Sequence, residues 1–307
     1  MDCYSIENLY QTYKNSDGYV NKNINLKIKQ GDLIGFYGEN GSGKSTLLKA
    51  LAGVKSVSKG RIFYNGKLLK ADKRNNKSIS YCPQNSLTLD FIPIINLIEL
   101  TARFKGYNKN RATKESLYWL KKFDILHISD KDMTSISGGE RKLVSLICSF
   151  IGEYDVLLLD EPTNELDPEK RKIVWSSIRE LHNKGKTIIL VTHDKGIASQ
   201  ANRIVERVVF FSDGELIMDE SINDLKDLYE NRCKVRINES SDKIIQIKEN
   251  ILGNNKFQVV NESSFFLELL LNRTNFAYLD EIVLKKLDIK EYSVSTETLL
   301  DFLGTKR

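Results

Sequence analysis

Gly38-Glu39-Asn40-Gly41-Ser42-Gly43-Lys44-Ser45-Thr46 fits the pattern G-x-x-x-x-G-K-[ST], whose chemistry is phosphate binding. Its glycines let backbone N–H groups converge on phosphate oxygens where a side chain would block the approach. Lys44 would reach the β- and γ-phosphates, and the Ser45 hydroxyl would ligate Mg²⁺. A pair of acids, Asp160-Glu161, closes the apolar run Val156-Leu157-Leu158-Leu159. Asp160 would hold Mg²⁺ through water, and Glu161 would orient and deprotonate an attacking water in line with the γ-phosphate. His193 follows a further apolar run, Thr187 to Val191, so its imidazole can meet the same phosphate; a surface or capped core histidine is the alternative. Ser137-Gly138-Gly139-Glu140 precedes an apolar helix. That makes a second anion-binding helix N-terminus, with a plain Ser137 N-cap as the competing reading.

These groups need elements to hold them. Asp32 to Tyr37 reads as a strand and Thr46 to Ala52 as a helix, so the glycine loop sits between strand and helix start, where the helix N-terminus adds partial positive charge. Val156 to Leu159 is apolar at every position, as in a parallel sheet buried on both faces. Acids at its C-terminal end stand where ligands bind in open α/β sheets. One chain holding one triphosphate has no use for two cradles. A head-to-tail dimer has: the serine-glycine turn of one copy closes on the nucleotide of the other.

The ordered set of motifs resembles the ATP-binding subunit of ABC transporters over about residues 1 to 230. The Walker A loop runs from Gly38 to Thr46, Gln84 in Tyr81-Cys82-Pro83-Gln84 is similar to the Q-loop glutamine, and Ser137-Gly138-Gly139-Glu140 is similar to the signature. Leu159-Asp160-Glu161 matches Walker B, Glu165-Leu166-Asp167-Pro168 the D-loop, and His193 the switch histidine. The resemblance implies an ATPase using ATP and Mg²⁺. Glu161, His193 and Gln84 would then be the catalytic set, with Ser45, Gln84 and Asp160 around the metal. It also implies an aromatic stacked on adenine, for which Tyr13 is the first candidate and Tyr19 the rival; the residues alone leave GTP open. The chain departs from the family at Ile136 for Leu, Glu140 for Gln and Glu165 for Gly, and Ser145 to Phe150 lacks the usual Ala-Arg-Ala. None of these changes removes a catalytic group, so an active ATPase is expected.

Around this core, residues 4 to 36 read as antiparallel strands, with Ile24, Leu26 and Ile28 alternating against Asn25 and Lys27. Residues 86 to 140 read as a helical insert. Ile95, Leu97, Leu100 and Phe104 fall at helical spacing, as do Leu117, Leu120 and Phe123, and most are expected to face the core. The resemblance makes Gln84 the hinge of this insert and its surface near residues 86 to 106 the receiver of short helices from a membrane partner, with Asp90, Phe91 and Ile92 as contact candidates. Val208 to Phe211, the turn Asp213-Gly214 and Glu215 to Met218 continue the core; Ile222 to Tyr229 reads as an acidic helix. The fold class expected is therefore α/β: a P-loop NTPase core at residues 1–231, built of a parallel sheet, an antiparallel β subdomain and the helical insert, followed by a small α+β module at residues 232–307. In that module Lys234 to Ile237 and Lys243 to Ile247 read as strands, Ser263 to Leu271 and Thr296 to Leu303 as helices. Asn75-Asn76-Lys77 and Gly253 to Lys256 read as polar turns.

The 307 residues are 41% hydrophobic with a net charge of +5, and no apolar run approaches the ~18 residues a membrane span needs. Met1 to Ser5 lacks the plan of a signal peptide. Cys3, Cys82, Cys148 and Cys233 show no metal spacing, which fits a reducing cytosol. The module from Lys234 onward balances acids and bases, against the basic excess of a nucleic-acid binder. The function expected is an ATP-hydrolysing motor at the cytoplasmic face of the membrane. It would work with membrane-spanning permease subunits and a second ATP-binding subunit, identical or related, and with no nucleic acid. The ending Thr296 to Leu303 is weakly similar to drug- and peptide-export ATPases, pointing to export of a peptide, antibiotic or other drug; a fold-stabilising or dimer-supporting appendage is the competing reading. A soluble relative acting in DNA repair or translation, and an importer motor, are the alternatives. The former usually carry long coiled coils or two ATPase units, which this chain lacks.

Overall fold

The computed structural model describes residues 1–12, 18–71, 78–85, 91–192, 204–229, 231–251 and 253–296. Tyr13, Asp90, His193, Asn75 to Lys77 and Glu297 to Leu303 lie outside them. The chain forms two compact units, Met1–Glu220 and Ser221–Arg307, dividing eleven residues before the expected boundary at 231.

In the first unit, β1 (Asp2–Gln11), β2 (Asn21–Lys29), β3 (Leu33–Gly38), β4 (Lys59–Tyr64), β5 (Lys67–Leu68) and β6 (Ile79–Cys82) precede the helical insert. β7 (Val156–Asp160), β8 (Thr187–Val191), β9 (Arg207–Ser212) and β10 (Glu215–Ser221) follow it. Two sheets result: β2-β1-β4-β5, with antiparallel neighbours, and β10-β9-β3-β8-β7-β6. In the second, β3, β6, β7, β8 and β9 run parallel. β7 and β8 are buried at every position, as their unbroken apolar sequences require. β2 alternates instead, burying Ile24, Leu26 and Ile28 while the residues between face solvent. Those three pack with Tyr4, Ile6 and Leu9 onto Leu47, Leu48 and Leu51 of α1 (Lys44–Leu51), which joins the two sheets through one core.

The insert comprises α2 (Ile94–Phe104) and α3 (Lys109–Lys122), leading to α4 (Gly138–Phe150); α5 (Pro168–Asn183) lies between β7 and β8. The buried face of α2 is Ile94, Leu97, Ile98 and Ala102. The stripe read from sequence is displaced from it: Leu97 is core, but Leu100 is 41% and Phe104 78% exposed, and Leu117 of α3 is 38% exposed. A helix turns 100° per residue, so 94, 97, 98 and 102 define one face and 100 and 104 lie off it. Leu120 and Phe123 are fully buried as expected.

The second unit opens with the helix Ile222–Tyr229 and then runs strand, helix, strand, strand, helical segment, strand: β11 (Arg232–Asn238), Ser241–Ile251, β12 (Phe257–Glu262), β13 (Phe266–Asn272), Phe276–Lys285, β14 (Tyr292–Thr296). The strand order is β12-β13-β11-β14 with all neighbours antiparallel, the split β-α-β arrangement of ferredoxin-like folds. Two expectations are corrected here. Lys243 to Ile247 is helical, because Ile244, Ile247 and Ile251 bury one helix face. Ser263 to Leu271 is largely β13, which buries Leu267, Leu269 and Leu271 and is held by pairing on both sides.

Candidate nucleotide site

β3 delivers the glycine loop to the C-terminal edge of the parallel sheet. Phe36 pairs with Val191 of β8, and Asp160 of β7 pairs with the same Val191, so the loop and the acids converge at the ends of two strands that flank β8. The loop is shaped by left-handed glycines: Gly38 has φ 140°, Gly41 84° and Gly43 96°. At Gly43 a Cβ would stand 2.2 Å from Asn21 Nδ2 and 2.7 Å from the Val20 carbonyl, so only glycine fits.

Lys44 is 5% exposed. Its ammonium donates to the Gly38 carbonyl at 2.8 Å, the Glu39 carbonyl at 2.6 Å and Ser42 Oγ at 3.3 Å, curling the loop around itself. Burial lowers its pKa, opposed by the charges of Glu161, Asp160 and Glu39. Ser45 Oγ donates to Asp160 Oδ1 at 2.7 Å, which ties the start of α1 to the end of β7. Asp160 is fully buried, and burial raises its pKa against the lowering hydrogen bond from Ser45. Its Oδ2 has no hydrogen-bond partner among the described residues. An orphaned buried carboxylate oxygen beside a serine hydroxyl is the donor set of a hard divalent cation.

Glu161 is 7% exposed and sits at φ 50°, a left-handed conformation costing a bulky residue ~1–3 kcal/mol. Its N–H donates to the Val191 carbonyl at 3.0 Å, and the Asn164 side-chain amide donates to its Oε2. A cavity of about 440 Å³ lies in front of these groups, lined by Val20, Asn40, Gly41, Gly43, Lys44, Ser45, Thr46, Gln84 and Glu161. The predicted loop, Gln84 and Glu161 therefore share one cavity, and Asp160 reaches it through Ser45. Tyr19 packs elsewhere, edge-on to Tyr10 at 5.0 Å and beneath Lys59 at 5.2 Å.

Ser137, Gly138 and Gly139 are not among the residues lining that cavity. They open α4 in a reciprocal capping box: Ser137 Oγ accepts from the Glu140 N–H, and Glu140 Oε2 accepts from the Ser137 N–H at 2.8 Å and the Ser137 hydroxyl at 2.7 Å. The D-loop lies against this turn, with Glu165 at φ 66° and its Oε2 3.7 Å from the Cβ position of Gly138. Two contributors escaped the sequence reading. Asn164 holds Glu161; its signal was an amide three residues downstream of an acid in a turn. Lys142, 2% exposed, donates to the Gln84 carbonyl at 3.0 Å; its signal was a cation embedded in the apolar run after the signature.

A glycine cradle between strand and helix, faced by acids from the next strand but one, defines a P-loop nucleotide-binding core. The family model described as ABC transporter matches residues 21–164. An ABC transporter ATP-binding protein of Methanocaldococcus jannaschii, MJ1572, is 30% identical over 246 residues, covering 77% of this chain and 87% of the relative. The lipoprotein-releasing system ATP-binding protein LolD of Francisella tularensis is 31% identical over 224 residues, 70% of this chain and 95% of the relative. The dimeric post-hydrolysis structure of the ATP-binding cassette MJ0796, bound to ADP and Pi, shares the fold. It aligns with a TM-score of 0.64 over 71% of this chain and 98% of that one, at 24% identity. The chain belongs to the ABC transporter family as an ATP-binding subunit. It is an ATPase, the ATP-binding motor of a transporter. No helix among the described residues is long and apolar enough to cross a membrane.

Proposed function

We propose that this motor drives export through separate membrane-spanning subunits. Two copies, or one copy and a close relative, hold ATP between the glycine cradle of one and Ser137-Gly138-Gly139 of the other. Backbone N–H groups from Gly38 to Thr46 bind the phosphates, and Lys44 exchanges its loop carbonyls for the β- and γ-oxygens. Ser45, Asp160 and Gln84 would hold Mg²⁺, which would supply neutralisation of the phosphate charge. Glu161, kept in place by Asn164, takes the proton of the attacking water; His193 and Gln84 complete the catalytic set, and Tyr13 stacks on the base. ATP favours the closed pair because it touches both halves only there, and loss of the γ-phosphate lets them part.

The observation that carries this reading is the shared cavity: Lys44, Ser45, Gln84 and Glu161 line it together, and Asp160 hangs from Ser45. The exposed Phe91, Leu100 and Phe104 of the insert supply apolar surface for a permease that places the motor at the cytoplasmic face of the membrane. Glu161→Gln is expected to keep ATP affinity, lose turnover ~10²–10⁴-fold and accumulate a closed dimer. Lys44→Ala is expected to weaken nucleotide binding by on the order of 10- to 100-fold. Normal turnover in the first variant, or unchanged affinity in the second, removes the corresponding assignment. The cargo class, a peptide, antibiotic or other drug, rests on the weak likeness of the tail; the relative named for lipoprotein release acts on a different cargo. Copurification with a multi-span partner, followed by uptake into inverted vesicles, tests direction and cargo together.

A further inference from the structure

Lys142 is buried in α4 in the company of Leu143, Val144, Leu146 and Ile147. An ammonium group among apolar side chains is costly unless something holds it. Among the described residues its single hydrogen-bond partner is the Gln84 carbonyl at 3.0 Å, and no carboxylate forms an ion pair with it. A buried charge adds little to stability, and an apolar side chain of similar length would fill the same space without the desolvation cost. What the position gains from lysine is a donor aimed at one backbone atom.

That atom lies at the edge of the nucleotide site. β6 and β7 are parallel neighbours with Cys82 opposite Leu159, so the chain runs out to Gln84 beside the place where β7 ends in Asp160. α4 is tied to this edge near both of its ends. Ser80 Oγ of β6 donates to the Ser149 carbonyl at 2.6 Å, and Lys142 reaches Gln84 from the other end of the helix. Gln84 in turn lines the cavity shared with Lys44, Ser45 and Glu161. The charge of Lys142 is also felt at Asp160, where burial raises the carboxyl pKa and this ammonium is among the groups that oppose the rise.

We propose that Lys142 is a positioning residue of the ATPase: by anchoring the Gln84 carbonyl it directs the Gln84 side chain into the phosphate cavity. This rests on the proposed role of Gln84 at the metal and deepens it. Groups that orient a metal ligand without touching the metal typically contribute about 10- to 100-fold to metal affinity. Lys142 does so through the main chain, so its effect reaches the site only by way of the side chain that residue 84 carries.

The test follows from that last point. Every variant is made in full-length Glu161→Gln, so that bound ATP persists, and ATP affinity is titrated with Mg²⁺ and again in EDTA. Lys142→Met is expected to weaken ATP binding about tenfold with Mg²⁺ and to leave it unchanged in EDTA. Lys142→Gln, one bond too short to make the contact, is expected to do the same and decides the matter where the methionine variant does not fold. Gln84→Ala is expected to show the same split. It keeps the carbonyl that Lys142 holds, so a purely structural role of Lys142 survives in it. Combining Lys142→Met or Lys142→Gln with Gln84→Ala is therefore expected to add less than about twofold to the loss in Gln84→Ala alone. A loss in the Lys142 variants that is equal with Mg²⁺ and in EDTA, or that adds in full to Gln84→Ala, overturns the proposal. If Gln84→Ala shows the split and the Lys142 variants do not, the proposal alone falls. If Gln84→Ala binds ATP with Mg²⁺ as its parent does, the metal assignment of Gln84 falls and the proposal with it.

Discussion

Gly43 carries the tightest backbone constraint of the cradle. A methyl group there collides with both Asn21 Nδ2, itself donating to the Gly43 carbonyl at 3.2 Å, and the Val20 carbonyl. Gly41 shares the left-handed conformation but faces open space. Gly41→Ala therefore pays conformational strain alone, ~1–3 kcal/mol, whereas Gly43→Ala must also displace the strand end that lines the cavity. The expected outcome is a larger loss of nucleotide affinity in Gly43→Ala than in Gly41→Ala, read by nucleotide titration; equal affinities would remove close packing as the reason for Gly43. This part of the site was legible in the sequence because the demand for glycine is local. The support of Glu161 by Asn164 and of Gln84 by Lys142 was not, since each depends on a turn or helix arriving from elsewhere in the chain. Ser137 shows the converse: both readings of it were open, and within a single chain its hydroxyl is already engaged with Glu140.

The helical insert is fastened to the core through Lys105, the residue after α2. Its ammonium end is buried although the residue as a whole is partly exposed. It donates to Ser80 Oγ of β6 at 2.6 Å and to the Cys148 carbonyl of α4 at 2.8 Å. Burial lowers its pKa to about 8 from the ordinary 10.5. The folded state therefore holds this proton less tightly than the unfolded chain. Stability carries the full cost of the buried ammonium below pH 8 and rises between about 8 and 10.5, by ~3 kcal/mol at most. Lys105→Met is expected to lack that rise, so denaturant titrations of the two proteins should diverge with pH across this window; parallel curves would show that the ammonium is solvated. Elements such as β7 and β8 declared themselves through unbroken apolar runs. The second unit did not. Its helix Ser241–Ile251 is rich in isoleucine, whose β-branching favours strands locally, and only the wider spacing of Ile244, Ile247 and Ile251 reveals the helix. β13, rich in leucine, reads as helix until both of its neighbours are known.

Among the described residues each of the two units has a hydrophobic core of its own. One gathers β1 to β4, α1 and the parallel strands around Tyr4, Phe36 and Leu47; the other gathers Val235, Ile247, Leu269 and Val283 of the C-terminal unit. Each belongs to one of the two compact units, so unfolding is expected to show two transitions rather than one. Only the first unit contains the phosphate cradle. A ligand that binds the folded form stabilises it by RT ln(1 + [L]/Kd), ~2.7 kcal/mol at a hundredfold excess over Kd. ATP with Mg²⁺ should therefore raise the midpoint of one transition and leave the other in place, and in Lys44→Ala the rise should be smaller at the same nucleotide concentration. Scanning calorimetry of the full chain distinguishes the outcomes. A single transition shifted as a whole would mean that the two units unfold cooperatively, and the C-terminal unit would then be part of the motor's folding unit rather than an independent module.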